Sequence, residues 1–467
     1  MFHVELSTIV KVKTVYFMYD VFCISAGQLD VKKDANVINM KNNYLNYGLL
    51  SLASIIEENG LSTILLHGHF SNPRDFSDRC IELGITDTKY PVFISIPSFY
   101  AINWVYEFTR ILKTEFKIKE VVIGGRWVVD GEIDQLAQLL PYADKIIDGL
   151  GENKIASLLN IKQMKVSGYF PLNYELLYQR ELYQPSVEIS RGCGMKCGFC
   201  QERDEKLQPL KPPSSISSEL ESILLNDTLN PMSPYFEASM FKPSTHWIEA
   251  LVENRAKYSQ SYLWRTESRV DTFNLVHIPL LANAGMRVLD LGLESASTAQ
   301  IIKMGKSIYP EKYLDRASML IKEAHSVGID VKVNILLYAG ETVETINETF
   351  KWLDLHRNYI AGVSVGPVLA FGWDNKKSNF IKDLESYGAS VCNESSFTGV
   401  TNFNLSKEIS CKDSLRISKE LSREFMSAKN YFKLKSFSYF SRDYKYEDFL
   451  HDIGCENGDY SFNVNVK

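Results

Sequence analysis

The first 165 residues alternate between apolar runs of strand length and stretches with helical spacing. The apolar runs occupy residues 13–18, 62–66, 92–96, 120–125 and 145–152. Apolar positions recur every three or four residues at 47–56, which stops at an Asn-Gly pair, and at 104–116. Strands that alternate with helices predict a parallel sheet with helices on both faces. We therefore predict an α/β domain with a doubly wound parallel sheet over residues 1–165.

A second alternating region follows a linker at residues 166–184, where no clean period is visible. Its predicted strands lie at residues 186–190, 234–238, 262–269, 287–295, 330–337 and 362–368. Each is followed by a helical stretch or a turn, and one helix is predicted to start at Ser217, after a Lys-Pro-Pro break. Six strand–helix units predict a partial (β/α)6 barrel over residues 185–374, with function at the carboxyl ends of its strands.

The pattern loosens in a C-terminal extension, residues 375–467. Residues 382–402 are polar and predict a loop, whereas 414–425 predict a helix. Residues 429–446 interleave aromatics with lysines, which is typical of a nucleic-acid surface or of an amphipathic helix packed on the open side of the barrel. We favour the helix, and we expect this mixed, partly helical extension to help close a substrate pocket.

Composition narrows the class of protein. The chain has 467 residues, which favours two or three domains, and its net charge of −6 gives no general reason to bind nucleic acid or anionic membranes. No apolar run reaches the length of a membrane span, and residues 1–15 lack the features of a signal peptide. We therefore expect a cytoplasmic protein with reduced thiols and no membrane partner.

Three of the eight cysteines are close together, at Cys193, Cys197 and Cys200, in a C-x3-C-x2-C loop after the first barrel strand. This spacing lets three thiolates reach one iron–sulfur cluster and leaves one iron without a protein ligand. Zinc is an alternative, but it needs four ligands and no histidine lies between His69 and His246. A disulfide would require an oxidising compartment.

The loop, with the aromatic Phe199 before its last cysteine, resembles that of radical S-adenosylmethionine (SAM) enzymes. The resemblance implies a 4Fe–4S cluster on the three cysteines and SAM on the open iron. It extends to Arg269 at the end of the third barrel strand, and to a Gly-Leu-Glu-Ser sequence that contains Glu294 and Ser295. The family implies SAM contacts for these residues and for two polar residues on other strands, Glu237 and Asn334.

Each of these residues also has a structural interpretation. Arg269 suits a carboxylate but could pair with a surface residue, and Asn334 could serve either the site or the fold. Glu341 and Thr342 match the turn after the fifth strand of the family, but we expect them to cap the next helix.

The N-terminal domain resembles the cobalamin-binding domain that precedes many radical SAM domains. The resemblance rests on Ser95 and Ser98 after the third strand, on Gly124 and Gly125 after the fourth, and on the Asp-Gly-Leu-Gly-Glu sequence at 148–152. The glycine pair could equally form a tight turn. Bound cobalamin is the expected cofactor of such a domain.

One feature departs from the family. Cobalamin domains that ligate cobalt carry Asp-x-His-x-x-Gly after the first strand, but residues 20–46 contain no histidine. His67 and His69 follow the second strand, and we interpret them as ordinary loop histidines. Cobalamin would then bind without a histidine ligand, or the domain has lost the cofactor.

The resemblance implies that SAM is cleaved to a 5′-deoxyadenosyl radical, and it favours a cobalamin-dependent methyltransferase acting on an unactivated carbon of a natural product or peptide. Cyclisation, rearrangement or epimerisation without methyl transfer is the alternative. An iron–sulfur electron carrier or sensor would need four ligands or a resolving cysteine. The expected partners are a small-molecule or peptide substrate and an external one-electron reductant such as flavodoxin or ferredoxin.

Overall fold

The computed structural model describes residues 19–29, 36–161, 172–224, 233–257, 262–392, 397–456 and 458–464. The strand predicted at 13–18 and the first part of the predicted linker lie outside these ranges. The strands are β1 Val21–Ser25, β2 Thr63–His67, β3 Val92–Ser95, β4 Val121–Gly124, β5 Lys145–Ile146, β6 Ser186–Glu188, β7 Tyr235–Glu237, β8 Trp264–Arg269, β9 Met286–Glu294, β10 Asp330–Leu337, β11 Gly362–Pro367, β12 Ala370–Phe371, β13 Ser390–Cys392 and β14 Val400–Asn404.

The α-helices lie between the strands and in the C-terminal extension. They are α1 Val37–Met40, α2 Tyr47–Glu58, α3 Pro73–Glu82, α4 Ile102–Thr114, α5 Arg126–Val129, α6 Ile133–Leu139, α7 Ile155–Leu158, α8 Pro213–Leu224, α9 Thr245–Arg255, α10 His277–Asn283, α11 Thr298–Lys303, α12 Pro310–Ser326, α13 Val343–Leu355, α14 Asn375–Ser386, α15 Cys411–Phe425, α16 Ala428–Ser436 and α17 Tyr446–Cys455.

The first sheet is parallel, in the order β2-β1-β3-β4-β5. All five residues of β1 are buried, although the sequence pattern predicted no strand there. The strand order reverses between β1 and β3, so the sheet is doubly wound, as predicted. In such sheets ligands bind beyond the carboxyl ends of the strands at this reversal.

The second sheet is also parallel and runs in chain order from β6 to β11. Among the described residues β6 and β11 are its two edges, which confirms the open, six-stranded barrel. Side chains on β10 alternate between buried and half-buried, so one face packs on helices and the other faces the barrel interior. Helix α8 begins at Pro213, earlier than predicted, because proline is tolerated in the first turn.

The C-terminal extension corrects one prediction. The polar stretch at 382–402 is not a loop, since it contains the end of α14, the strand β13 and the start of β14. Strands β12, β14 and β13 form a small antiparallel sheet. Leu384 is the one fully buried side chain that α14 provides, so its polar surface hides the helical period.

Two helices of the extension pack on the barrel. Helix α15 covers the edge strand β11, where the Val365 amide donates to Ser422 Oγ at 3.1 Å. Helix α16 lies at the N-terminal ends of the strands, because Arg265 near the start of β8 donates to Leu434 O at 2.9 Å and Ser438 Oγ at 3.2 Å. The amphipathic helix predicted here exists, but it forms the floor of the barrel rather than covering its open side.

Candidate functional site

The cysteine loop, residues 189–200, directly follows β6 at the carboxyl end of the barrel sheet. Gly192 has a φ of 72°, and a Cβ atom there would lie 2.4 Å from the carbonyl oxygen of Lys206. This close approach requires glycine. The Gly198 amide donates to Met304 O at 2.9 Å, which ties the loop to the segment after α11. Backbone contacts therefore determine the path of the loop.

The three cysteines of the loop are free thiols that form no disulfide bond. Cys197 is 5% exposed, whereas Cys193 and Cys200 are half-buried. Burial, and after it the charges of Glu202 and of the other two thiols, raise the pKa of Cys200 to about 11. In the described part of the chain, no three His, Cys, Asp or Glu side chains form a group that could hold a single metal ion. Three sulfur donors on one loop suit an iron–sulfur cluster chemically, and their ligand role stays a prediction.

Arg269 lies against this loop and is 5% exposed. Its Nη1 donates to Cys197 Sγ at 2.8 Å, and its Nη2 donates to the carbonyl oxygen of Lys306 at 2.7 Å. Its Nε donates to Asp271 Oδ1 at 2.9 Å. The guanidinium is therefore directed at a predicted cluster ligand, and the SAM-carboxylate role predicted for it stays a prediction.

Glu294 ends β9 with a φ of 68°, a backbone conformation that side chains other than glycine rarely adopt. Such strain concentrates at functional sites. Lys306 is 5% exposed, and its Nζ donates to Glu294 Oε1 at 2.9 Å. Lys306 thus joins Glu294 to Arg269, and sequence reasoning missed it because a lone lysine between two helices carries no spacing signal.

Ser295 is buried and points away from this network. Its hydroxyl lies 3.2 Å from Thr349 Oγ1 and accepts from the Ser297 amide at 3.0 Å. These contacts connect β9 to α13. The structure therefore gives Ser295 a structural role, and its predicted SAM contact stays a prediction.

Two further predicted residues face the barrel interior. Asn334 is half-buried and aligns with Gly292 on β9 and Ser364 on β11. Glu237 Oε1 accepts a hydrogen bond from Ser186 Oγ at 2.9 Å. Burial, and then the nearby carboxylate of Glu267, raise the pKa of Glu237 to about 8. A carboxyl group with this pKa is largely protonated at neutral pH.

The turn after β10 has the predicted capping role. Thr342 is the N-cap of α13, and its side chain accepts from the Thr345 amide in a capping box. Glu341 is buried and accepts a hydrogen bond from Thr345 Oγ1. The expectation that these residues cap the helix is confirmed.

A cavity of about 840 Å³ opens at the carboxyl ends of the first sheet. Ser95, Ser98, Gly124 and Gly125 all line it, so the structure brings the four residues predicted to contact cobalamin to one wall. Ser98 Oγ and Gln28 Oε1 are buried there and have no hydrogen-bond partner among the described residues. Buried polar atoms usually have partners, so these two atoms are available to hydrogen-bond with a polar ligand.

Two of these residues also serve the fold. Gly125 has a φ of 135°, and a Cβ atom there would lie 2.4 Å from Ile96 O, so packing alone requires glycine. Ser95 Oγ accepts from Asn46 Nδ2 at 3.1 Å. The Gly124 position is less crowded, because a Cβ atom would meet its nearest neighbour, Ile147, at 3.4 Å.

The two histidines line the same cavity, and one is not a loop residue. His67 is the last residue of β2, and its Nε2 accepts from the Asn46 amide at 3.0 Å. Burial holds the pKa of His67 well below its usual value, so the ring is neutral. His69 Nε2 lies 2.7 Å from Tyr183 Oη, and burial lowers its pKa to about 4.

The opposite wall of the cavity belongs to the barrel and the extension. Glu188 and Arg191 lie at the end of β6 and in the cysteine loop, and Arg191 Nε donates to Glu188 Oε1 at 2.6 Å. Lys332 on β10 and Lys435 on α16 line its far end. One cavity therefore connects the edge of the first sheet with the interior of the barrel.

Comparison with protein families agrees with this geometry. Residues 187–353 match the Radical SAM superfamily. The chain therefore carries the domain of radical SAM enzymes, and this domain implies a 4Fe–4S cluster and SAM. No curated protein sequence matches the chain.

Solved structures match over most of the chain. The radical SAM methyltransferase TsrM from Kitasatospora setae, described with tryptophan substrate and a SAM analogue bound, is 16% identical, with a TM-score of 0.60 over 81% of this chain and 79% of TsrM. The cobalamin-dependent SAM radical enzyme OxsB, described with aqua-cobalamin and SAM bound, is 14% identical, with a TM-score of 0.57 over 80% of this chain. The match spans 56% of the OxsB chain.

At these identities the matches establish the fold. It is the fold of TsrM and OxsB, an α/β domain of the cobalamin-binding type followed by a radical SAM domain. None of the described helices is long and apolar enough to cross a membrane.

Proposed function

We propose that this protein is a cobalamin-dependent radical SAM methyltransferase that acts on an unactivated carbon of a small molecule or peptide. The observation that carries the proposal is the single cavity shared by the sheet edge and the barrel. A methyl donor at the sheet edge and a radical generated in the barrel must reach one substrate, and a continuous cavity meets this requirement.

The sheet edge fits a large polar cofactor. Ser98 and Gln28 offer hydrogen-bonding atoms that lack partners among the described residues, and Gly124 leaves room for a flat ring system. The cavity volume of about 840 Å³ is at the upper end of the roughly 300–1,000 Å³ typical of ligand pockets. A bound corrinoid would supply the methyl group.

The barrel residues would position SAM and the cluster. Cys193, Cys197 and Cys200 would hold the cluster, while Arg269 orients the Cys197 sulfur through its hydrogen bond. The carboxylate of Glu294, which Lys306 holds in place, can accept a hydrogen bond from SAM. Helix α15, which covers the edge strand β11, would limit access of water to the interior from that side.

The test is anaerobic reconstitution of the whole chain with iron, sulfide and cobalamin. We expect corrinoid absorbance and about four irons per chain to remain after gel filtration, and SAM to yield 5′-deoxyadenosine under a strong reductant. The variant Cys197→Ala should lose the iron and the SAM cleavage but keep the corrinoid. Cys392→Ala, a buried cysteine on β13, is the matched control and should lose neither.

Two results would contradict the proposal. Protein that takes up iron but retains no corrinoid would exclude the cobalamin-dependent reaction. A product without an added methyl group would select the cyclisation, rearrangement or epimerisation alternative.

A further inference from the structure

The far end of the cavity is basic and aromatic. Lys332 and Lys435 line it together with Tyr44, Tyr431 and Tyr439. It lies at the N-terminal ends of the barrel strands, opposite the cysteine loop. Neither the cluster loop nor the sheet edge uses these residues.

Lys435 comes from the floor helix α16, and it has no carboxylate partner among the described residues. The one hydrogen bond that its side chain makes within the described part of the chain joins Nζ to Tyr44 Oη at 3.4 Å. The ammonium also lies 4.8 Å from the ring centre of Tyr439 and 5.7 Å from those of Tyr44 and Tyr431. Burial, and then the positive charges of Lys332 and Arg265, lower the pKa of Lys435 to about 7.

Two further cations, Arg265 and Lys332, lie near Lys435. Arg265 and Lys332 share the buried carboxylate of Asp290, to which Lys332 Nζ donates at 2.8 Å. Arg265 is fully engaged, because it also holds the backbone of α16. Two more carboxyl groups, Glu267 and Glu237, lie near these cations, but burial raises their pKa values to about 7 and about 8, so both are partly or largely protonated at neutral pH. Asp290 is thus the carboxylate that Arg265 and Lys332 bond, and no described carboxylate lies within hydrogen-bonding distance of the Lys435 ammonium.

We propose that Lys435, with Lys332 beside it, binds an oxyanion of the substrate, either a carboxylate or a phosphate. Calling this ligand the substrate rests on the proposed function. The three tyrosine rings hold the ammonium in the cavity wall, and an arriving anion supplies the missing counter-charge. Anion binding would also restore an ordinary pKa to Lys435.

The position of Lys435 defines the shape of the substrate. Arg265, which fixes α16, lies four residues before Arg269 on the same strand, so the two ends of the barrel interior are about 13 Å apart. A substrate held at Lys435 would extend from its anionic group toward the cysteine loop. The reacting carbon would then lie on the order of 10 Å from the oxyanion.

The first experiment measures the reactivity of each lysine in the full chain with an amine-specific N-hydroxysuccinimide ester, quantified by mass spectrometry. We expect Lys435 to react faster at neutral pH than the reference residue Lys433, which is exposed on the same helix and paired with Asp330. Inorganic phosphate or benzoate should protect Lys435 at least about fivefold, and should leave Lys433 unprotected.

The second experiment measures binding of radiolabelled phosphate and benzoate by equilibrium dialysis. Lys435→Met should weaken binding about 10-fold or more, Lys435→Arg should retain it within a few-fold, and the control Lys433→Met should match the unaltered protein. If phosphate alone or benzoate alone protects Lys435 from labelling, that result identifies the oxyanion of the substrate as a phosphate or as a carboxylate.

The proposal would be overturned if neither phosphate nor benzoate reduced the labelling of Lys435. It would also be overturned if the Lys435→Met and Lys433→Met variants lost anion binding equally. If the Lys435→Met variant does not fold, the labelling experiment on the unaltered chain tests the proposal by itself. Because these measurements need neither cluster nor corrinoid, their failure leaves the proposed function standing, and loss of SAM cleavage leaves the oxyanion site standing.

Discussion

The hydrogen bond between Arg269 and Cys197 predicts that this arginine sets the reduction potential of the bound cluster. The change to test is Arg269→Gln, which keeps a side-chain N–H donor but removes the positive charge. In the structure the guanidinium is buried and donates to Cys197 Sγ at 2.8 Å. Donors to cluster sulfurs stabilise the more negative, reduced state, so their loss lowers the potential.

The magnitude follows from the strength of one charge-assisted hydrogen bond. Such a bond contributes about 1.5–3 kcal/mol. For a one-electron couple this corresponds to about 65–130 mV. We therefore expect the Arg269→Gln cluster to be reduced at a potential lower by about this amount, and SAM cleavage under a fixed reductant to slow with it.

The assay is a redox titration of the reconstituted cluster, followed by electron paramagnetic resonance, with iron content measured in parallel. The matched control is Arg203→Gln, because Arg203 donates to the loop carbonyl of Gly198 at 3.4 Å, is 44% exposed and bonds to no described thiol. Solvent screening should keep its shift to about 20 mV or less. An Arg269→Gln cluster with the potential of the unaltered protein at equal iron content would refute the reasoning.

Two further predictions concern stability. Burial opposes ionisation of Asp290, but its two cationic partners outweigh this and lower its pKa from 3.8 to about 2. The carboxylate therefore contributes about 2 kcal/mol above pH 4, which is lost as the pH falls toward 2. Asp290→Asn should lower the free energy of unfolding by about 3–5 kcal/mol and increase hydrogen exchange in α16. The control variant Asp459→Asn, at an exposed position, should lower it by less than about 1 kcal/mol. Equal melting temperatures for the two variants would contradict this reasoning. Gly125→Ala should destabilise by about 2–3 kcal/mol, since its Cβ would clash with a carbonyl oxygen. Gly131 also has a positive φ, but a Cβ atom there would have no neighbour within 4 Å, so Gly131→Ala should lower the free energy of unfolding by about 1 kcal/mol. Similar shifts in melting temperature for the two variants would show that crowding at Gly125 is unimportant.

The spacing of apolar residues predicted those helices and strands that have one buried face and one polar face. Strand β10 has the predicted bounds, because its apolar positions alternate and glycines flank it. Strand β1 was missed because the run from residue 14 to 25 is almost continuously apolar, and a uniformly buried strand has no period to mark its bounds. Helix α14 was missed for the opposite reason, since almost all of it is polar.

The candidate site was predictable where its residues share a loop or follow a strand. The spacing of Cys193, Cys197 and Cys200 is a local property, and strand ends place Arg269 and Glu294 at one edge of a parallel sheet. The contact between Lys306 and Glu294 depends on how α11 turns back over the sheet, and the position of Lys435 depends on packing between segments far apart in the chain. A single sequence carries no signal for either.

The floor helix α16 has a consequence for how such an enzyme could diversify. Its anchor, Arg265, holds the helix through a main-chain oxygen and a serine hydroxyl, and neither contact depends on the side chains that α16 presents to the cavity. The side chains on that inner face can therefore be replaced without disturbing the opposite rim, where Cys193, Cys197 and Cys200 lie. Selection of the molecule to be modified and generation of the radical would thus evolve as separate modules, and grafting α16 from one homologue to another is a practical route to altered specificity.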